Sequence, residues 1–271
     1  MPRYDRHALY EASVQSVDSD VAFFAGVYRR KRGRPARMLR EDFCGTAALS
    51  AAWLRLHRNN RAAGVDLDPE VLEWAREHRV PKMGDAASRL SLVRADVRSN
   101  RVPRADLTLA LNFSYCVFKE RRDLLGYVRA AREGLKPGGL LVLNVFGGTE
   151  AMETLSERSR KKGFVQDDGT RVPSFTYVWE HERFNPIDHH ILCHIHYEFP
   201  DGSSMRNAFT YDWRLWTLPE IRELCAEAGF ASTDVYLEGW DDEANASSHV
   251  YRKRTHFENQ AGWLAYVMAW R

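Results

Sequence analysis

The chain has 271 residues, 44% of them hydrophobic and 28% charged, with a net charge of only +2. That is enough apolar material for one large domain, or one domain with a sizeable insertion, and it leaves no global field pointing to nucleic acid. Cys44, Cys116, Cys193 and Cys225 are scattered without a CxxC pair, which argues against a zinc ribbon or a disulfide framework and fits a reducing cytoplasm.

Residues 7–30 read as helix, with Leu9, Ala12, Val14, Val17, Val21, Phe24 and Val27 at helical spacing and a break near Ser16–Ser19. The Arg29–Arg34 cluster that follows reads as a solvated helix end before RNA contact or a targeting signal. A strand is expected at Arg37–Asp42, a helix over Thr46–His57 and a strand at Ala62–Asp66. Asp68-Pro69-Glu70 opens the next helix, with Asp68 as N-cap. Further strands fall at Leu90–Arg94, Asp106–Asn112 and Leu140–Phe146. A helix over Lys119–Gly134 and a tight Lys136–Gly139 turn precede the last of these. Short apolar strands alternating with helices indicate a parallel sheet covered on both faces.

Residues 174–184, 189–199 and 204–213 then alternate polar and apolar positions between turn-forming segments. They predict a three-stranded antiparallel meander. A helix at Leu218–Ala228, a strand near Thr233–Glu238 and a final strand at Trp263–Trp270 resume the α/β pattern. The expected fold is therefore α/β, a doubly wound seven-stranded sheet with an inserted meander. Trp263, Tyr266 and Trp270 suit the core of the last strand better than a homodimer contact, which stays open. The N-terminal residues Met1–Arg6 lack the apolar core of a signal peptide, and no apolar run approaches a membrane span. A soluble, cytoplasmic protein without a membrane partner is expected.

The turn after the first strand, Glu41-Asp42-Phe43-Cys44-Gly45-Thr46-Ala47, resembles the first motif of class I S-adenosylmethionine-dependent methyltransferases, an acid followed by a glycine-rich turn. Gly45 takes the central glycine position, while Phe43 and Ala47 stand where glycines are usual. Leu9–Gln15, Arg40–Thr46 and Tyr211–Thr217 together look like a bacterial subgroup of that family whose substrate is unsettled. The resemblance implies a Rossmann-like core at 37–149 and 214–271, an N-terminal helical cap at 1–36 and a substrate lid at 150–213. It implies S-adenosyl-L-methionine as cofactor. Asp66 would meet the ribose hydroxyls, Leu67 would lie against the adenine, and Asp96 with Val97 would meet the adenine amino group. Asn112 and Phe113 would stand near the sulfonium. Glu41, Phe43, Cys44, Gly45 and Thr46 line the turn, and Tyr10 and Gln15 are N-terminal candidates. A dinucleotide fits less well, because Phe43 and Ala47 crowd the close pyrophosphate approach.

Methyl transfer is an in-line displacement, so alignment and exclusion of water matter more than any catalytic side chain, and none is assigned. Tyr115, Trp179 and His194 are the candidate acceptor contacts. Alternation places His190, Leu192, His194 and His196 on one strand face; a solvated sheet face is the plainest reading, with a base or substrate contact as the alternative. One strand face does not guarantee the fixed geometry a metal needs, so no metal is expected. Asn112-Phe113-Ser114-Tyr115 is similar to the Asn-Pro-Pro-Tyr segment of amine-directed nucleic-acid methyltransferases, but both prolines are absent. A small-molecule acceptor, methylated on N or O, is the expectation. A nucleic-acid or protein acceptor, another sulfonium-dependent group transfer, and a non-catalytic regulator are the alternatives.

Overall fold

The computed structural model describes residues 4–14, 17–241 and 246–271. The chain divides into two compact units, one of residues 17–151 and 216–271, the other of residues 1–16 and 152–215. The N-terminal helices expected as a single cap are split between the two.

The larger unit contains a mixed eight-stranded sheet in the order β13-β12-β14-β5-β4-β1-β2-β3. Its strands are β1 (Met38–Asp42), β2 (Arg61–Asp66), β3 (Leu90–Arg94), β4 (Ala105–Ala110), β5 (Leu135–Gly147), β12 (Ser232–Asp241), β13 (Ala246–Lys253) and β14 (Trp263–Trp270). β5, β4, β1, β2 and β3 run parallel, and β14 and β12 are antiparallel to their neighbours. One face packs against α2 (Val17–Arg32) and α3 (Ala48–Leu56), where Phe24, Tyr28, Trp53, Leu107, Leu140 and Trp270 are buried together. α4 (Pro69–Trp74), α5 (Arg121–Gly134) and α6 (Leu218–Glu227) complete the unit. Asp68 caps α4 by accepting the Glu70 N–H at 2.8 Å, as its sequence position predicts.

The sheet has eight strands rather than the seven expected. The extra one, β13, is an edge strand, and its sequence Ala-Ser-Ser-His-Val-Tyr-Arg-Lys carries no buried-strand pattern. Tyr266 and Trp270 are buried in the core.

The smaller unit holds α1 (Arg6–Val14) and a four-stranded antiparallel sheet in the order β11-β10-β9-β6. β9 (Phe175–Phe184), β10 (His190–Glu198) and β11 (Ser204–Arg214) form the meander read from the sequence. β6 (Leu155–Lys161) adds a fourth strand at the edge, and its Ser-Glu-Arg-Ser-Arg side chains are exposed. β7 (Phe164–Val165) and β8 (Arg171–Val172) pair separately. Charged edge strands resist further pairing and for the same reason carry little strand signal.

At the entry to β1, Asp106 is buried and ties three segments together. It accepts the N–H groups of Arg37 at 3.0 Å and Met38 at 2.9 Å, and pairs with Lys136 at 3.0 Å and Arg34 at 3.2 Å. The cationic Arg29–Arg34 run is thus partly structural: Arg34 serves Asp106, and Arg32 donates to the Gly138 carbonyl at 2.7 Å. Burial opposes ionisation of Asp106, but these donors overcome it and hold the carboxyl below its usual range. A depressed carboxyl contributes stability above its unfolded pKa that is lost as pH falls through the folded one. Asp106→Ala should cost about 3 kcal/mol by urea unfolding at pH 7, because two backbone donors lose their acceptor. The difference from wild type should shrink below about pH 4.

Candidate functional site

Strand order reverses between β1 and β4, since β2 and β3 lie on one side of β1 and β4 on the other. The carboxyl ends of strands beside such a switch point form the ligand crevice of an open α/β sheet. Both turns leaving that point are left-handed. Phe43 (φ 56°), Gly45 (φ 51°) and Ala47 (φ 55°) follow β1; Asn112 (φ 54°) and Phe113 (φ 58°) follow β4. Phe43 and Ala47 therefore keep the backbone that glycine adopts freely, at about 1–2 kcal/mol each. Strain of this kind persists where the surroundings over-determine it, as at ligand sites.

The surroundings do so here. The Phe43 ring is held edge-on by Tyr127 (5.7 Å) and Phe118 (6.1 Å). Cys44 is buried, and its Sγ would lie 2.9 Å from any Cβ at position 64, so Gly64 is needed for this packing. Burial, with Glu41 and Asp66 nearby, raises the Cys44 thiol well above its ordinary range, which makes it an inert filler. The Gly45 N–H donates to Asp66 at 2.8 Å, and the Asp66 carboxylate also accepts the Asp68 N–H at 3.0 Å. Asp66 thus closes the β1 turn against the end of β2. Leu67 beside it is 65% exposed, an apolar side chain left open to a ring.

Glu41 is turned to the other side of β1 and is spent inside the protein. Its carboxylate accepts the Ser50 N–H at 2.8 Å and the Ser50 hydroxyl in the first turn of α3. These bonds tie the end of β1 to the start of α3. Burial, against the Ser50 hydrogen bonds, pushes the Glu41 carboxyl up to about 7.

After β3, Asp96 and Val97 are held in place. Arg98 grips both Asp96 oxygens, at 2.7 Å through Nη2 and at 3.1 Å through Nε. Val97 is buried, and its carbonyl accepts from Arg40. After β4, the buried Asn144 fixes the left-handed pair by accepting the Phe113 N–H at 3.0 Å. Its own carbonyl accepts the Tyr115 hydroxyl at 2.8 Å. Tyr115 is therefore a correction: it is 1% exposed and bonded inward, so it offers no ring to an acceptor or a flipped base.

The remaining candidates lie in the smaller unit. Tyr10 packs on Phe209 at 5.0 Å, while Gln15 lies outside the described residues. Trp179 stands beside Tyr211 (5.9 Å) and Trp213 (6.4 Å). His194 and His196 are buried, not solvated as the alternation suggested, because each reaches a glutamate of β9. His194 Nε2 meets Glu182 at 2.9 Å and His196 Nε2 meets Glu180 at 2.8 Å. His196 Nδ1 accepts the Asn207 N–H at 2.8 Å, which fixes the proton on Nε2. Among the described residues, no group of three or more His, Cys, Asp or Glu is placed to hold a metal. No helix among them is long and apolar enough to cross a membrane.

The turn itself fits a polar nucleoside ligand. Thr46 Oγ1 is buried and makes no hydrogen bond, and nothing lies nearer than 4.0 Å to where a Cβ on Gly45 would stand. A buried hydroxyl without a partner is costly unless a ligand supplies one.

Residues 44–141 match the methyltransferase-domain family. The matched segment is similar to a methyltransferase domain. It begins at Cys44 in the β1 turn and runs into β5, so it contains Asp66, Asp96 and Asn112 at the successive strand ends. The fold agrees. DesVI from Streptomyces venezuelae is 16% identical with a TM-score of 0.68, covering 97% of this chain and 95% of its own. CalS10, an amino pentose methyltransferase from Micromonospora echinaspora, is 17% identical with a TM-score of 0.66, covering 96% and 95%. The sugar N-methyltransferase KedS8 from Streptoalloteichus is 18% identical with a TM-score of 0.65, covering 99% and 93%. No curated protein matches the chain in sequence.

Arg40, Ser50, Arg98, Phe118, Tyr127 and Asn144 are the site residues that sequence reasoning missed. Asn144 had a signal, as the lone polar residue in Leu-Leu-Val-Leu-Asn-Val-Phe; Arg40 had one, as a charge inside a buried parallel strand.

Two outcomes follow from this geometry. In Ala47→Gly, relief of the left-handed backbone (about 1–2 kcal/mol) outweighs the lost methyl burial (about 0.8 kcal/mol). The melting temperature should hold or rise by a few degrees, where a helix-interior Ala→Gly would lower it. Glu41 carries a raised carboxyl, so the folded state holds its proton longer than the unfolded one, and stability falls as pH rises from about 4.5 through 7. Glu41→Gln should flatten that fall, on the order of 3 kcal/mol, in denaturant titrations across the range.

Proposed function

We propose that the chain is an S-adenosylmethionine-dependent methyltransferase that moves a methyl group to N or O of a small-molecule acceptor. The observation that carries this is the coincidence of the methyltransferase-domain match with the switch-point crevice, where the left-handed β1 turn, Asp66 and the Asn112–Phe113 turn meet. S-adenosylmethionine, when bound, supplies an electrophilic methyl group on a positively charged sulfur.

The residues of this chain bind and orient. Asp66 accepts two backbone N–H groups through different oxygens and keeps lone pairs for ribose hydroxyls. Leu67 covers one face of the adenine. Thr46 Oγ1 gains its missing partner. Phe43 and Phe113 give the turns apolar walls that exclude water from the reacting end. No side chain needs to act as a base if the acceptor is a neutral amine, because the attacking lone pair is already free. CalS10 and KedS8 are named for amino sugar and sugar nitrogen methylation, and the glycopeptide N-methyltransferase MtfA has the same fold at a TM-score of 0.53. That favours a small amine over a hydroxyl here.

Calorimetric titration with S-adenosylhomocysteine tests this reading. The folded protein should bind it, and Asp66→Ala should weaken binding by about tenfold or more with its circular dichroism unchanged. A folded wild type that binds neither S-adenosylhomocysteine nor S-adenosylmethionine would overturn it.

A further inference from the structure

Arg40 is fully buried in β1, and its side chain shares one strand face with Asp42, two residues on. Its guanidinium is divided among three acceptors. Nε donates to Asp42 Oδ1 at 2.6 Å, one Nη to the Val97 carbonyl and the other to Asn100 Oδ1 at 3.4 Å. The second Asp42 oxygen accepts the Tyr127 hydroxyl at 3.0 Å. Tyr127 stacks on Phe118 at 5.5 Å, the Arg98 guanidinium lies 5.3 Å over Phe118, and Arg98 grips Asp96. The chain of contacts is closed: Val97, Arg40, Asp42, Tyr127, Phe118, Arg98, Asp96 and back to Val97 through one peptide bond.

We infer that Arg40 is a positioning residue for adenine recognition, fixing the Asp96–Val97 segment through its bond to the Val97 carbonyl. The inference rests on the nucleoside reading of the crevice proposed above. Elsewhere in the β1 turn the cofactor site is shaped by short local bonds. The segment after β3 stands two strands from β1, and Arg40 is the side chain that spans the gap. The work requires a guanidinium. Its planar fork serves a carboxylate and a carbonyl in different directions at once, which the single ammonium of lysine cannot do. It also requires burial, because an exposed arginine would hydrate instead of holding the loop.

The test uses the full chain and a ratio of affinities. S-adenosylhomocysteine and S-inosylhomocysteine differ only on the purine edge, with a 6-amino group and an N1 acceptor in one and a 6-oxo group and an N1–H donor in the other. Wild type should prefer the amino form. Arg40→Lys keeps the charge beside Asp42 and loses the bridge to Val97, so that preference should fall by about tenfold, or ~1.4 kcal/mol. If Arg40→Lys is poorly folded, Arg40→Met with Asp42→Asn removes the pair as a unit, which buried ion pairs tolerate far better than loss of one partner. The same drop is expected there. A role confined to stability would lower the melting temperature and leave the ratio as in wild type, and that result in a folded variant overturns the inference. Wild type binding both nucleosides equally would overturn it while leaving the methyltransferase reading intact. Binding of neither would remove both.

Discussion

A guanidinium buried at 0% exposure must find an acceptor for its donors or destabilise the protein that holds it. Arg40 meets this constraint by drawing three elements to one point: Asp42 on its own strand, the segment after β3, and, through Asp42, the Tyr127 hydroxyl of α5. Burial raises the Asp42 carboxyl, and the Arg40 guanidinium and Tyr127 hydroxyl oppose that rise. Neither partner is comfortable in the core alone. A rotation of α5 would take the Tyr127 hydroxyl from Asp42, and a shift of the segment after β3 would take the Val97 carbonyl from Arg40. A pair of apolar residues would pack as well and would say nothing about where the segment at 95–98 should lie.

Fixing that frame lets the turns above it be strained. Four of the six left-handed non-glycine residues among those described, Phe43, Ala47, Asn112 and Phe113, leave β1 and β4 at the switch point. Three of them have a restraint that opposes relaxation: the Tyr127 and Phe118 rings around Phe43, the Ala47 N–H on the Cys44 carbonyl at 2.8 Å, and Asn144 on the Phe113 N–H. The side chains that stand where glycines are usual are therefore packed in place on a glycine-like backbone. A dinucleotide fold strips the same turn to let a pyrophosphate approach. Here the turn has kept one glycine at its centre and surrounded it with packing.

The central architecture was legible because buried parallel strands announce themselves as apolar runs and their helices as periodic ones. β1 to β5, α3 to α6 and the meander all fell near their expected places. What escaped was what burial does not mark. β6 and β13 are edge strands, charged or polar, and a sequence pattern based on a buried face cannot see them. Asp66, Leu67 and Gly45 stand at the strand ends where the resemblance to the methyltransferase family puts them. Arg40, Arg98 and Tyr127 could not be placed in that way, since their role depends on which elements α5 and the segment after β3 bring together. Tyr115 shows the opposite error. A tyrosine next to a strand end looks available, and only the position of Asn144 across β4 and β5 decides that its hydroxyl turns inward.

The histidines of β10 follow the same logic in the smaller unit. A register of alternate histidines on a strand suggests titratable groups facing solvent, yet β9 presents Glu180 and Glu182 on the same face and pulls His194 and His196 down onto the sheet. The irregular pairing of β10 with β11 between Ile195 and Tyr197, with Asn207 left-handed, then sends the Asn207 N–H to His196 Nδ1 instead of into the ladder. A histidine with one nitrogen accepting from backbone and the other donating to a carboxylate has both of its sites filled. His196 thus pins β10 to β9 through Glu180 and to β11 through the Asn207 N–H.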